Sequence, residues 1–196
     1  MKFLKSILPF LVVISLTLSG CGVASIQISK IDEVASKKVA SKFIRAIFNI
    51  DTTQINEYLD VLDSFGSKAG NQKFISKVNS YDKRIIPLLI QSAYKDIVDK
   101  RLNFLNVNCC LINKCTMQMT NLTFKNQFYD EKLKKVGYYF DLKLGFKFNK
   151  DSKEYTSEAS GEIYLDNQNG IWIINGYVPY AKSYKLSNSR ILELYS

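Results

Sequence analysis

The spacing of apolar residues along this chain changes twice, and each spacing predicts a different element. The first run, Ile7 to Leu18, is apolar almost throughout, broken only by Pro9, Ser15 and Thr17. From Ile31 to Asn49, Ala40, Phe43, Ile44, Ile47 and Phe48 recur at i, i+3, i+4, i+7 and i+8, the stripe of an amphipathic helix. Lys37, Lys38, Lys42 and Arg45 lie mostly off that stripe. A second helix is predicted from Asp51, because Asp51-Thr52-Thr53-Gln54 reads as a capping box with Asp51 at N-cap and Gln54 at N3. Ile50 and Ile55 stand where a hydrophobic staple would, and Ile55, Tyr58, Leu59 and Leu62 share one face. Gly66 should end this helix, and the abrupt join at Ile50-Asp51 predicts a sharp corner between the two. A weaker helix is expected over Gln72 to Asn79. A longer one runs to about Phe104 through Ile90, Ala93, Tyr94, Ile97, Val98 and Leu102, with Pro87 as its first residue or as a kink.

From Asn106 the period becomes two. Met117 and Met119 alternate with polar residues, and after Asn121 the phase moves to Leu122 and Phe124, the slip expected of a bulge. Tyr138, Phe140, Leu142, Leu144, Phe146 and Phe148 alternate with Tyr139, Asp141, Lys143, Gly145 and Lys147, predicting a long strand with one wet and one packed face. A strand over Tyr155–Leu165 follows, with Ala159, Gly161, Ile163 and Leu165 on one face. Asp166-Asn167-Gln168-Asn169-Gly170 reads as a hairpin loop. Ile171-Trp172-Ile173-Ile174 is a continuous apolar run, which predicts a strand covered on both faces and ended by Pro179. The tail, with Ile191, Leu192 and Leu194, docks as a last strand or a short helix.

Helices first and strands afterwards, joined by short turns, predict an α+β chain with N-terminal helices packed on a curved antiparallel meander. This order resembles the NTF2-like (cystatin-like) superfamily. The segment Gly161-Glu162-Ile163-Tyr164-Leu165, followed by Asn169-Gly170-Ile171-Trp172-Ile173-Ile174-Asn175, is similar to the terminal hairpin of those domains. The resemblance covers about residues 30–180 and implies a sheet curved around the first long helix, with a cone-shaped pocket between them. Trp172, Tyr138 and Phe140 are the residues that would line such a pocket. Superfamily members include isomerases, dehydratases, domains attached to transpeptidases and components of conjugation channels.

The N-terminal run is too short for a membrane span, about a dozen residues against the roughly 20 a helix needs. It is preceded by Lys2 and Lys5 and closed by Leu18-Ser19-Gly20-Cys21. A basic start, an apolar middle and small residues before the cut make a secretory leader. The closing tetrapeptide is similar to the lipobox of bacterial lipoproteins. That resemblance implies cleavage before Cys21, acylation of its thiol with a diacylglyceryl group, and permanent anchoring by several acyl chains such as palmitate. The expected organisation is therefore a signal peptide over residues 1–20, a lipidated tether over 21–30 and one α+β domain over 31–196. The expected location is the extracytoplasmic face of the bacterial cell membrane, with the lipid at Cys21 as the membrane partner.

Composition narrows the chemistry. The net charge is +9, to which the leader contributes Lys2 and Lys5, and the remaining excess is spread along the chain. A positive surface is drawn toward anionic lipid or acidic wall polymer. Nucleic acid is not an expected partner, since the chain is read as exported and its aromatics fall in strand patterns rather than among the basic residues. Histidine is absent, which removes the commonest general base and metal ligand. Asp141 is the one carboxylate within the Tyr138–Phe148 strand, but it alternates onto the polar face. Glu158 and Glu162 are placed similarly, and cross-strand pairing with Lys143 or Lys147 accounts for such carboxylates. Cys109, Cys110 and Cys115 remain after Cys21. If Ile112-Asn113 is a two-residue turn, Cys110 and Cys115 face each other in disulfide geometry, with Cys109 as the other choice and three buried thiols as the plain one. Three close cysteines without histidine make no metal site. Tyr177, Tyr180 and Tyr184 are candidate exposed recognition residues.

The sequence thus points to a non-enzymatic, membrane-anchored binding or accessory module of the cell envelope, with no catalytic residue and no cofactor. Its partner would be another envelope protein or a small apolar ligand. Two alternatives stay open: an isomerase or hydrolyase working through a pocket carboxylate, and a structural subunit of a conjugation- or secretion-type complex.

Overall fold

The computed structural model describes residues 28–65, 70–150 and 152–194. The leader, Cys21 and Gly66 lie outside them. Among the described residues five α-helices precede the sheet: α1 (Lys30–Phe48), α2 (Thr52–Ser64), α3 (Gly70–Asp82), α4 (Gln91–Asp99) and α5 (Leu105–Asn113). A four-stranded antiparallel meander follows in the order β1-β2-β3-β4, with β1 Cys115–Asp130, β2 Lys135–Phe148, β3 Glu154–Gln168 and β4 Ile171–Pro179. The tail forms a small ribbon, β5 (Ser183–Lys185) with β6 (Ile191–Glu193), and buries Tyr184, Leu186, Leu192 and Leu194. The chain is therefore α+β, a helical layer on a curved antiparallel meander, consistent with an NTF2-like arrangement.

The core lies between α1 and one face of the sheet. Ala40, Phe43, Ile44, Ile47 and Phe48 of α1 are buried against Tyr138, Phe140, Leu142, Leu144 and Phe146 of β2 and Ile163 and Leu165 of β3. Phe140 stacks on Tyr177 at 6.1 Å and meets Phe48 edge-on at 6.4 Å, while Phe43 meets Tyr177 at 5.0 Å. Such pairs add to burial through ring electrostatics. Gly161 is required by this packing, since a Cβ there would stand 2.5 Å from the Val178 carbonyl and 2.6 Å from the Phe140 ring.

The corner after α1 is fixed by both local and long-range bonds. The capping box is present, with Asp51 Oδ1 accepting from Gln54 N–H at 3.0 Å and Asp51 N–H donating to Gln54 Oε1 at 2.8 Å. Ile50 pairs antiparallel with Met117, and Asn49 Oδ1 accepts from Met119 N–H at 2.8 Å. That contact sits beside the first register slip of β1, between Met119 and Asn121; a second falls between Asn126 and Phe128. At the other end of the sheet, Leu89 makes a parallel bridge to Ile174, and Ile90 N–H donates to the Ile174 carbonyl at 2.9 Å.

Four expectations need correction. The stretch from Asn106 to Asn113 is helical, not extended, so no turn at Ile112-Asn113 sets Cys110 opposite Cys115. A short apolar run carries no decisive period, and here Asn106 turns inward to bond the Ile47 carbonyl and the Tyr184 hydroxyl. Pro87 lies within a separate 3₁₀ turn, Ile86–Leu88, and α4 starts only after Ile90. The run Ile171–Ile174 is not covered on both faces: β4 is a terminal strand that buries Trp172 and Ile174 and leaves Ile171 exposed. Finally, the β3–β4 loop is only two residues. Asn169 and Gly170 both have positive φ (54° and 87°), the type I′ requirement, and β3 continues through Gln168.

Candidate functional site

Three helices leave a groove among themselves. The face of α2 carrying Tyr58, Val61 and Leu62 extends to Phe65 just past the helix end. α3 contributes Phe74 and Ile75 to the opposite wall, and Phe74 meets Phe65 edge-on at 5.5 Å. Tyr94 and Val98 of α4, with Arg101 and Phe104 beyond it, complete the third side. The enclosed space is about 630 Å³, within the range of small-ligand sites. The floor is aromatic: Tyr58 lies 5.1 Å from Phe104 and 6.2 Å from Tyr81. The rim is apolar and wet, with Leu62, Phe65 and Ile75 at 44 %, 75 % and 53 % exposure. Neighbouring large apolar side chains left in water are uncommon on a protein surface without a binding role.

Arg101 reaches this groove through a costly backbone position. α4 ends in a Schellman motif: Arg101 N–H bonds the Val98 carbonyl and Leu102 N–H bonds the Ile97 carbonyl, each at 2.9 Å. The residue at the turn must be left-handed, and Arg101 has φ 55°, where glycine is the usual choice. Burial raises the Tyr58 phenol above its ordinary value, and the charge of Arg101, which lines the same groove, opposes that rise.

Behind Tyr94 lies a buried polar knot. Asp82 is 1 % exposed and accepts Tyr94 O–H at 3.0 Å and Asn103 Nδ2–H at 2.8 Å, both on Oδ2. Its Oδ1 and the Asn103 Oδ1 are buried without partners. Burial pushes the Asp82 carboxyl up from 3.8 to about 6, against the opposing pull of those two hydrogen bonds and of Arg84. Asp82 does not line the groove; Tyr94 stands on both sides, facing the groove and bonding the carboxylate.

The residues expected to line a cone lie elsewhere. Trp172, Tyr138 and Phe140 are at most 4 % exposed, and none of them lines the groove. Tyr138 bonds Ser36 Oγ at 2.6 Å, and Trp172 Nε1–H donates to Asp32 at 3.3 Å, so both fasten α1 to the sheet. Phe140 fills the space between Phe48 and Tyr177. Tyr177 and Tyr184 are core residues, not exposed ones; Tyr180 is exposed and donates to Glu162. Asp141 faces water and pairs with Lys125 at 3.5 Å, while Glu158 stands directly opposite Lys143.

Cys109, Cys110 and Cys115 are buried free thiols. The Cys110 thiol donates to the Cys115 sulfur across the end of α5. That bond and burial raise Cys110, while the same bond lowers Cys115. Burial pushes Cys109 up to about 12. Among the described residues no cluster of three or more acidic or cysteine side chains is placed to hold a metal, and no helix is long and apolar enough to cross a membrane.

Sequence reasoning identified Tyr58, Leu62, Tyr94 and Val98 only as helix faces. It did not single out Phe65, Phe74, Ile75 or Asp82. Phe65 follows the last turn of α2, and α3 is polar overall, so neither gives a strong stripe; the usable signal was large apolar residues recurring on a helix with little else to bury. No protein-family model matches the chain, and no curated protein matches it.

Proposed function

We propose that this chain is an extracytoplasmic lipoprotein, anchored through acylated Cys21 to the bacterial cell membrane, whose domain binds an apolar partner or ligand rather than catalysing a reaction. The observation that carries the binding role is the open apolar groove with Leu62, Phe65 and Ile75 at its rim. The lipobox and leader support the location, and the positive net charge supports attraction to an anionic surface. A photoreactive amino acid at Ile75 tests the role in cells. It should capture a lipid or an envelope protein, and the same group at Lys147 on the wet sheet face should not; equal capture at both positions refutes the binding role. Radiolabelled palmitate should enter the native chain and not Cys21→Ala, and the absence of label in the native chain refutes the anchor.

A second reading is favoured by one observation, the buried Asp82 beside the Tyr94 hydroxyl: a lyase or isomerase using that carboxylate. It requires Asp82 to reach a substrate past Tyr94, so Asp82→Asn in a metabolite-turnover screen separates the two. Turnover lost in that variant supports the enzyme.

A further inference from the structure

We infer that the groove takes a single aliphatic chain bearing an anionic head, a free fatty acid, with the tail among α2, α3 and α4 and the head on Arg101. This rests on the binding role above and names its ligand. Among the described residues the groove is apolar over most of its wall and carries one formal charge, that of Arg101. One charge on an otherwise apolar surface matches a ligand with one charged end and a long apolar remainder. Arg101 is exposed and makes no ion pair among the described residues, so its guanidinium is available as a forked donor to a carboxylate. Its neighbour Lys100 is already paired with Asp96 at 2.8 Å.

The acceptor side of the groove is occupied. The Tyr94 hydroxyl proton is committed to Asp82, and Asn79 Oδ1 also faces that hydroxyl at 3.4 Å. Asp82, the carboxylate that accepts from Tyr94 of the lining, is 1 % exposed and shielded by that ring, and no acidic side chain is among the described residues that line the groove. A cationic head would therefore meet Arg101 without a compensating acid, whereas an anionic head meets a donor. The backbone adds a second argument. The left-handed C′ position of α4 favours glycine, and placing Arg there holds a charged side chain at the mouth of the groove at a conformational cost. The location proposed above supplies the ligand: the stretch from Cys21 to the buried Ile28 can reach no further than about 25 Å, which keeps the domain close to the bilayer. An apolar helix of another protein and the acyl chains on Cys21 are the competing occupants.

The test uses the full-length acylated protein in phosphatidylcholine nanodiscs. It compares photoreactive palmitic acid with the neutral alcohol of the same tail, and adducts are mapped by mass spectrometry. The acid should label peptides from α2 to α4 about tenfold more than the alcohol, the factor expected of one charge-assisted contact. Arg101→Gln should bring the acid down to the level of the alcohol, and Lys100→Gln should leave the difference intact. Equal labelling by acid and alcohol in the native protein overturns the anionic head and leaves an apolar site. No groove label from either probe overturns the fatty acid altogether; capture of an envelope protein from Ile75 would then preserve the binding role alone. Adducts joining the groove to residues 21–30 would assign it to the protein's own lipid. The comparison of the two probes on the native chain decides the matter even if Arg101→Gln unfolds.

Discussion

Asp82 offers the sharpest perturbation. Its carboxyl ionises at about 6 in the folded chain against an ordinary 3.8, because burial penalises the charge more than Tyr94, Asn103 and Arg84 favour it. Moving an ionisation that far costs about 3 kcal/mol at neutral pH, at about 1.4 kcal/mol per pH unit. The sign follows from proton binding: between pH 4 and 6 the folded chain holds a proton that the unfolded chain has released. The stability belonging to this group is therefore complete below about pH 4, falls as pH rises through about 6, and is flat above. Asp82→Asn keeps acceptors for Tyr94 and Asn103 and cannot ionise. It sets an amide donor where Oδ1 now has no partner, which costs up to about 1 kcal/mol. The net expectation is a variant near or slightly below the native chain in stability at pH 4 and about 2 kcal/mol above it at pH 7. Urea unfolding of both chains at pH 4, 5, 6 and 7 measures this, and taking the difference removes the titration of every other carboxylate. A difference that does not grow between pH 4 and 7, or a variant less stable at pH 7, refutes the account of Asp82 as a buried and costly charge.

Three further outcomes follow from the same packing. Arg101→Gly should raise stability by up to about 1 kcal/mol, since glycine suits φ 55°, while removing acid-selective labelling of the groove; a drop in the urea midpoint would contradict the Schellman assignment. Gly161→Ala should destabilise by about 2 kcal/mol, because its Cβ meets the Val178 carbonyl, which cannot move without breaking the β3–β4 pairing; a melting temperature within 1 °C of native would show that the close approach is absent. If the chain is exported as proposed, Cys110 and Cys115 should pass from the free thiols described above to a disulfide, with two hydrogens going to a thiol oxidant, and leave Cys109 free. Alkylation under denaturing, non-reducing conditions should then modify Cys109 alone among the three, and modification of all three would rule the bridge out.

The long-period elements were legible because their signals are redundant. α1 shows five apolar residues on one stripe, the α2 start combines cap, box and staple, and β2 alternates over its whole length. The bulge after Met119 was visible as a phase slip, because a single extra residue reverses which side chains face the core. Two of the errors share one cause. Asn106–Asn113 mixes three Asn with apolar residues at no clear period and Ile171–Ile174 is a short apolar run, so tertiary context decides: a buried Asn106 fixes a helix in the first, and position at the edge of the sheet exposes alternate residues in the second. The groove was barely legible, since periodicity along three successive helices does not say how they pack against one another, and its charged member, Arg101, looks like any residue of a basic pair. Asp82 gives no sequence signal, because only burial separates it from Asp96 or Asp99 on the neighbouring helix.

The two rims of the sheet have a bearing on how copies of this domain behave when crowded. A strand with free amides and carbonyls along its flank is a template for another molecule. Here the start of β1 is occupied by Asn49 and Ile50, and β4 is met at Ile174 by Leu89 and Ile90, all drawn from the helical layer. The rest of β1 is interrupted by a second bulge and carries Lys125. Copies brought together at high density therefore meet, among the described residues, flanks blocked or bent at several points, which works against growth into fibres.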